Sequence, residues 1–442
     1  MKNIKLYKLF ISLILASTII SCSTETPSID SAYEYKDFLR EESSLVEADS
    51  SISSHSINIP EAKPNTSWKS SDFSLRNIPQ NLSAKINLDR PQISNYKVSE
   101  SSETESNRNI VIYRNKLFTL SDNFVYANNL SNPKKLEWKT ELAEQKNNLI
   151  GGGIYIENNN LAVTYGGKEI VLINADTGNK IWSHNLANIA RSSPLIYKSS
   201  VFINTIDNTL HCLDLKTGFL KWAIKEAHEK LGFLGSSSPE PFEDTIIIPF
   251  SSGKLSSIDV NTGQIKWSAT LSMGVGTQSY VNDIDMVPVI KDEVVYLSSK
   301  NGILYAIKAD VGKLEWANQQ TGGHNQIWVA DDYIYTINKN NQLLAIYKVT
   351  GTIRWVYDLE VIHKNKKENI FFDENYTKFE GPTMINGNLY VISSNGKISI
   401  ISAKTGEKIK DIKISKGSYS PAIVVDDKIY LLSSSGTLSI IS

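Results

Sequence analysis

Eight times along this chain an apolar strand runs into a short polar or glycine turn and out again as a second apolar strand. The turns are Asp122-Asn123, Gly166-Gly167, Asp207-Asn208, Ser252-Gly253, Asn301-Gly302, Asn340-Asn341, Asn395-Gly396 and Ser435-Gly436. Between their second residues the spacings are 44, 41, 45, 49, 39, 55 and 40 residues. One such unit cannot bury its apolar face alone, and a period in this range with all-β punctuation marks propeller blades. The expected fold is an all-β, eight-bladed β-propeller, which leaves function to loops and rims.

Within a repeat, a β-branched and aromatic strand such as Val294-Val295-Tyr296-Leu297 meets an Asn-Gly pair, read as a tight hairpin. A second turn follows, as in Ala175-Asp176-Thr177-Gly178, Leu215-Lys216-Thr217-Gly218, Val260-Asn261-Thr262-Gly263 and Ala403-Lys404-Thr405-Gly406. Its Asp or Asn suits backbone N–H groups, and its glycine suits the left-handed region. Four residues beyond most of these glycines stands a tryptophan: Trp182, Trp222, Trp267, Trp316 and Trp355. Trp138 holds the same place in the first repeat, and Lys410 holds it in the seventh. An indole fixed at one blade position is read as packing between neighbouring sheets rather than as a ligand box. The last repeat stops at Ser442 without a second turn or tryptophan. Trp68, upstream of the first repeat, is expected to supply the missing outer strand and so close the ring from both chain ends, with seven blades as the alternative count.

The first 21 residues read as a lipoprotein signal peptide. Lys2, Lys5 and Lys8 precede an apolar run from Leu9 to Ile20, too short for a membrane span. Ser21-Cys22 at its end resembles a bacterial lipobox, which implies a lipidated Cys22 as the mature N-terminus. Residues 22–66 are rich in Ser, Glu, Asp, Thr and Pro and are expected to form a flexible tether, with the propeller over 67–442. Cys212, the only other cysteine, alternates with apolar neighbours and reads as a small buried hydrophobe, so no disulfide framework is expected. Lys and Arg total 46 against 47 Asp and Glu, a balance that argues against nucleic acid and leaves membrane attachment to the N-terminal lipid.

The phrase strand–x–Gly–strand–Leu-Asp-x-x-Thr-Gly-x-x-x-Trp resembles the quinoprotein-type (PQQ-like) repeat. With a lipobox in front of it, the chain is similar to the BamB family of outer-membrane propeller lipoproteins. That resemblance implies a non-catalytic scaffold of the β-barrel assembly machinery. It would sit in the cell outer membrane by its lipid, face the periplasm, and bind POTRA domains of the barrel subunit. Unfolded outer-membrane proteins are a second implied partner. The resemblance also points to two loops, around Leu231-Gly232-Phe233-Leu234 and Asp283-Ile284-Asp285. Leu231, Phe233, Asp283 and Asp285 are carried over as partner-binding residues. The family's arginine in the first loop is replaced here by Leu234. Read without the family, apolar groups beside acidic ones on irregular connections also suit a protein-binding edge.

Two alternatives remain open at this point. One is a periplasmic quinone-cofactor dehydrogenase, since that class shares the repeat; the other is a propeller module for a different envelope complex. The dehydrogenase reading lacks a Cys-Cys pair, and Asp283-Ile284-Asp285 lacks the ligand series of a calcium loop. The six histidines form no His-x-x-x-His pair, and His324 is the most site-like of them. No catalytic residue, metal, cofactor or small-molecule substrate is therefore expected. Residues 364–376, which lengthen the connection between the sixth and seventh turns, are expected to be a solvated loop.

Overall fold

The computed structural model describes residues 45–100, 109–121, 123–142, 151–226, 237–271, 286–299, 302–323, 326–360 and 377–442. The chain divides into two compact units, Met1–Leu45 and Val46–Ser442. Only Leu45 of the first is described. The second is a ring of eight four-stranded antiparallel sheets. Blades 1 to 7 span 109–141, 153–185, 195–225, 240–270, 289–319, 328–358 and 379–413, each running outward from an inner strand to an outer one.

Burial follows this order. Inner and middle strands are continuous apolar runs such as Ile110-Val111-Ile112 and Ile246-Ile247-Ile248, covered on both faces by adjacent blades. Outer strands alternate, as in Leu220–Lys225, and expose one side. Cys212 lies in blade 3 fully buried and free, as a small hydrophobe should.

Blade 8 is built from both chain ends. Ile423–Val425, Lys428–Leu432 and Thr437–Ile441 come from the C-terminus, and Ile93–Lys97 is the outer strand. Ile93 pairs with Ile441 and Lys97 with Thr437. Gln92 and Ser442 extend the ladder, exchanging N–H···O bonds of 2.9 and 3.1 Å. The eight-blade count and closure by the two termini hold; the assignment of Trp68 to the closing strand does not. Trp68 is buried against the inner strand of blade 1, where it exchanges backbone bonds with Ile112. The alternating segment Ile93-Ser94-Asn95-Tyr96 fits an outer position instead, and Ser94, paired with Ile440, stands where blades 1 to 6 carry an indole.

The turns also sort differently from expectation. Two-residue turns with φ positive at both positions join the first and second strands: Arg114-Asn115, Asn158-Asn159, Asp292-Glu293, Asn386-Gly387 and Asp426-Asp427. The repeated pairs of the sequence lie between second and third strands. There one residue alone takes the left-handed region, as Asn208 does at φ 59° and Gly253 at φ 75°. The Gly253 N–H donates to the Phe250 carbonyl, while Phe250 N–H donates to the Lys254 carbonyl. This is the longer hairpin, a type I turn closed by a left-handed residue, which also favours Asn and Gly.

Six tryptophans link consecutive blades. The Trp138, Trp182, Trp222, Trp267, Trp316 and Trp355 indole N–H groups donate to the carbonyls of Ala175, Leu215, Val260, Ala309, Lys348 and Ala403, at 2.9–3.2 Å. Each indole also lies flat on the glycine of that neighbour's Thr-Gly-type turn. A Cβ added at Gly218 would stand 2.7 Å from the Trp182 ring, and φ there is +73°. Shape and backbone conformation thus demand glycine independently. The interblade reading of the tryptophans stands.

Candidate functional site

Antiparallel topology gives the ring two distinct faces. One carries the turns joining strands one to two and three to four. The other, the crossover face, carries the connections from each blade to the next. The crossovers between blades 3 and 4 and between blades 4 and 5 hold Leu231, Phe233 and Leu234, and Asp283 and Asp285. These residues lie outside the described residues, as do Cys22, His324 and 364–376. The roots of the two crossovers are described and are brought together: Ser237 Oγ donates to the Met286 carbonyl at 2.7 Å. The described roots of the two crossovers therefore meet on one face of the ring.

Sequence reasoning missed the segment that lines the inner edge of the ring. From Lys63 to Lys85 the chain follows the inner edges of the blades in ring order. Asn65 reaches Val424 of blade 8, Trp68 pairs with Ile112 of blade 1, and Ser71 N–H donates to Ile154 of blade 2. Asp72 Oδ2 accepts from the Ser193 N–H of blade 3 at 2.7 Å and from Ser238 Oγ before blade 4. Ser74 Oγ donates to Glu240 of blade 4 at 2.9 Å. Beyond blade 5, Gln80 accepts from Trp328 of blade 6, Leu82 bridges Ile385 of blade 7, and Lys85 N–H donates to Asp427 of blade 8. Lys63 finally pairs with Leu82, so the circuit closes on itself. Inner strands would otherwise turn unpaired backbone groups toward the axis, and this segment supplies partners for them. The only sequence signal is that 69–92 carries neither the repeat's turns nor its tryptophan.

Of the segment expected as a tether, 22–66, the part from Val46 onward is seated on the ring. From Val46 onward the chain is bonded to blade 6: Val46 N–H donates to Gln342, Asp49 N–H to the Ile353 carbonyl, and Arg354 Nε to the His55 carbonyl. Buried Ile52 and Ile57 explain the attachment, since two large aliphatic side chains in a polar stretch suffice to seat it.

Charge is enclosed where the circuit meets blades 2 to 4. The Arg76 guanidinium stands 5.5 and 5.6 Å from the ring centres of Tyr155 and Tyr197. Glu240 is only 5% exposed, and burial pushes its carboxyl up to about 7, against the opposing pull of Arg76 and the Ser74 hydroxyl. Burial likewise raises Asp72, opposed by its bonds from Ser238 and Ser193. A cavity of about 370 Å³ lies between Leu75–Gln80 and the inner strands of blades 4 to 6. Another of about 410 Å³ has Asp72 and Phe73 beside Arg191, Met286, Gln326 and Glu380. Among the described residues, no histidine or cysteine lines either cavity, and no group of three or more His, Cys, Asp or Glu able to hold a metal occurs. The 63–85 segment thus lines the inner edge of the ring, and the second cavity opens among residues from blades on all sides of it.

These features define a class: an eight-bladed β-propeller with quinoprotein-type repeats, closed by its two termini. The family model described as outer membrane protein assembly factor BamB matches residues 99–357, and the chain belongs to that family. The BamB of Yersinia pestis is 26% identical over 311 residues, covering 68% of this chain and 75% of the relative. That of Escherichia coli K12 is 24% identical over 344 residues, covering 74% and 84%. Among solved structures, BamB from Moraxella catarrhalis superposes with a TM-score of 0.63 at 18% identity, over 79% of this chain and all of that one. The quinohemoprotein alcohol dehydrogenase of Comamonas testosteroni gives 0.64 at 12% identity, over 89% and 82%, a likeness of fold alone. Membership in an assembly-factor family separates the chain from those enzymes, in keeping with the non-catalytic expectation.

Proposed function

We propose that this protein is a non-catalytic outer-membrane lipoprotein that assists folding and insertion of outer-membrane β-barrel proteins by binding POTRA domains of the barrel subunit. The observation that carries the reading is the family match over 99–357. In this reading residues 1–21 are removed as a signal, Cys22 carries the lipid, and the ring faces the periplasm. The partner is met on the crossover face, through Leu231, Phe233, Asp283 and Asp285. It is supported by the Ser237–Met286 bond, which holds the roots of both loops side by side on a rigid blade.

The test is an affinity pull-down from solubilised membranes. Capture of the barrel-assembly subunit is expected, with a loss of at least fivefold in the Asp283→Lys/Asp285→Lys chain. Capture of unrelated envelope proteins alone sinks the proposal, and an unchanged pull-down by the double variant removes the aspartates from the interface. Cys22→Ala should release the chain from membranes into the soluble periplasmic fraction.

A further inference from the structure

The rim between blades 2 and 3 breaks the repeat on the face opposite the crossovers. At the residue after the Thr-Gly-type turn glycine, blades 2 and 4 to 7 carry Asn179, Gln264, Lys313, Thr352 and Glu407. Blade 3 carries Phe219, which is 74% exposed, the highest value among the exposed large apolar side chains of the described residues. At the residue before the indole, Glu137, Lys221, Lys266, Glu315 and Arg354 are charged, whereas blade 2 has Ile181, 46% exposed; blade 7, which lacks the indole, has Ile409 in the same place. Both departures fall at one boundary, where Trp182 of blade 2 lies against Gly218 of blade 3. Leu220 adds a third exposed apolar side chain, and Ile181, Leu172 and Leu215 line a shallow cavity there.

Two lysines and one carboxylate surround this patch. Lys216 and Lys221 flank Phe219-Leu220 and are exposed. The adjacent carboxylate, Asp214, is turned into its own turn, accepting from the N–H groups of Lys216 and Thr217 and from the Thr217 hydroxyl. Lys198, also nearby, is paired with Asp244. A phenyl ring and aliphatic side chains at a turn tip, between two lysines, present to a bilayer what an interfacial anchor presents: apolar groups for the acyl boundary and ammonium groups for phosphates.

We propose that this rim, Ile181, Phe219 and Leu220 with Lys216 and Lys221, docks on an anionic phospholipid surface. The inference rests on the membrane-apposed role proposed above. The 24 residues from Cys22 to Leu45 span at most roughly 80 Å, which sets an upper limit on how far Val46 stands from an anchoring bilayer. Docking by this face leaves the crossover face free for a protein partner.

The test uses the full mature chain carrying Cys22→Ala, so that no acyl chain contributes, sedimented with vesicles. Binding is expected to phosphatidylglycerol/phosphatidylethanolamine vesicles over phosphatidylcholine vesicles, and should fall as salt is raised. Phe219→Ser and Lys216→Glu/Lys221→Glu should each weaken it at least fivefold, with unchanged circular-dichroism melts. No sedimentation with anionic vesicles, or binding indifferent to both variants, overturns the proposal. So does a concentration-dependent dimer that Phe219→Ser converts to monomer, which would give the patch to a second copy. Failure here with the barrel-subunit pull-down intact leaves the functional reading standing. Vesicle binding without that pull-down fails the functional reading alone.

Discussion

Glu240 shows how a single buried carboxyl can tie the axial circuit to pH. Its folded value of about 7 lies above the ordinary glutamate value, so the fold favours the protonated acid. Its favourable contribution is complete below the ordinary value, near 4.5, and is lost as pH rises through about 7. The full difference is about 3 kcal/mol. Urea unfolding of the wild type should therefore give lower stability at pH 8 than at pH 5 from this group. In Glu240→Gln that pH dependence should be reduced by about 3 kcal/mol, the amide keeping a partner for Ser74. An identical pH dependence in both proteins would mean the carboxylate is already accommodated by Arg76. None of this was legible in the sequence. Glu240-Pro241-Phe242 reads as an ordinary strand start, and Arg76 lies 164 positions away in a segment without repeats.

Among the elements, the indole-on-glycine contact is the recurring link, and it can be broken from either side. Trp355, the most buried of the six, should cost about 3–5 kcal/mol as Trp355→Ala, read by urea unfolding. Gly218→Ala should cost at least ~2 kcal/mol, from the left-handed backbone and the collision with Trp182 together. A Trp182→Ala background should remove the collision but keep the backbone cost, so the two changes should be less than additive. The sequence announced this contact because it recurs at fixed spacing. It misplaced the tight turns because Asn and Gly serve both hairpin types, and only strand register tells them apart. The two boundaries without such an indole are those touched by the chain ends. At one, Lys410 reaches Asp89 at 2.9 Å across an exposed pair, worth little by itself. There the large shared core of blades 6, 7, 8 and 1 takes over, with Trp68 and Leu82 of the circuit and Ile57 of the segment before it packed in.

For the whole molecule, repetition made the architecture readable and its interruptions made the rest opaque. Blade number, ring closure and the role of the tryptophans follow from period and pattern. The identity of the closing strand does not, because Ile93–Lys97 carries neither the turn nor the indole of its counterparts. The axial circuit is invisible for a deeper reason: its partners are backbone groups on all sides of a ring, and backbone groups leave no mark in side-chain spacing. A chain ending at Ser434 would lack the third strand of blade 8. Hydrogen exchange should then find protection lost first in blades 8 and 1 and in the 63–85 circuit, with the blades 3 to 5 least affected. Uniform loss of protection would mean that the ring opens only as a unit.

The pairing of Ile93 with Ile441 has a consequence for how such a chain is made. The segment that must be sealed precedes blades 1 to 7 in the chain, and the strand that seals it follows them. Until it is made, the neighbours of blade 8 are held only by partial partners, and the loop to be closed contains all seven other blades. A prematurely terminated product therefore cannot pass as a slightly shorter version of the finished one. It carries an open edge that proteases can find, so the fold inspects its own length.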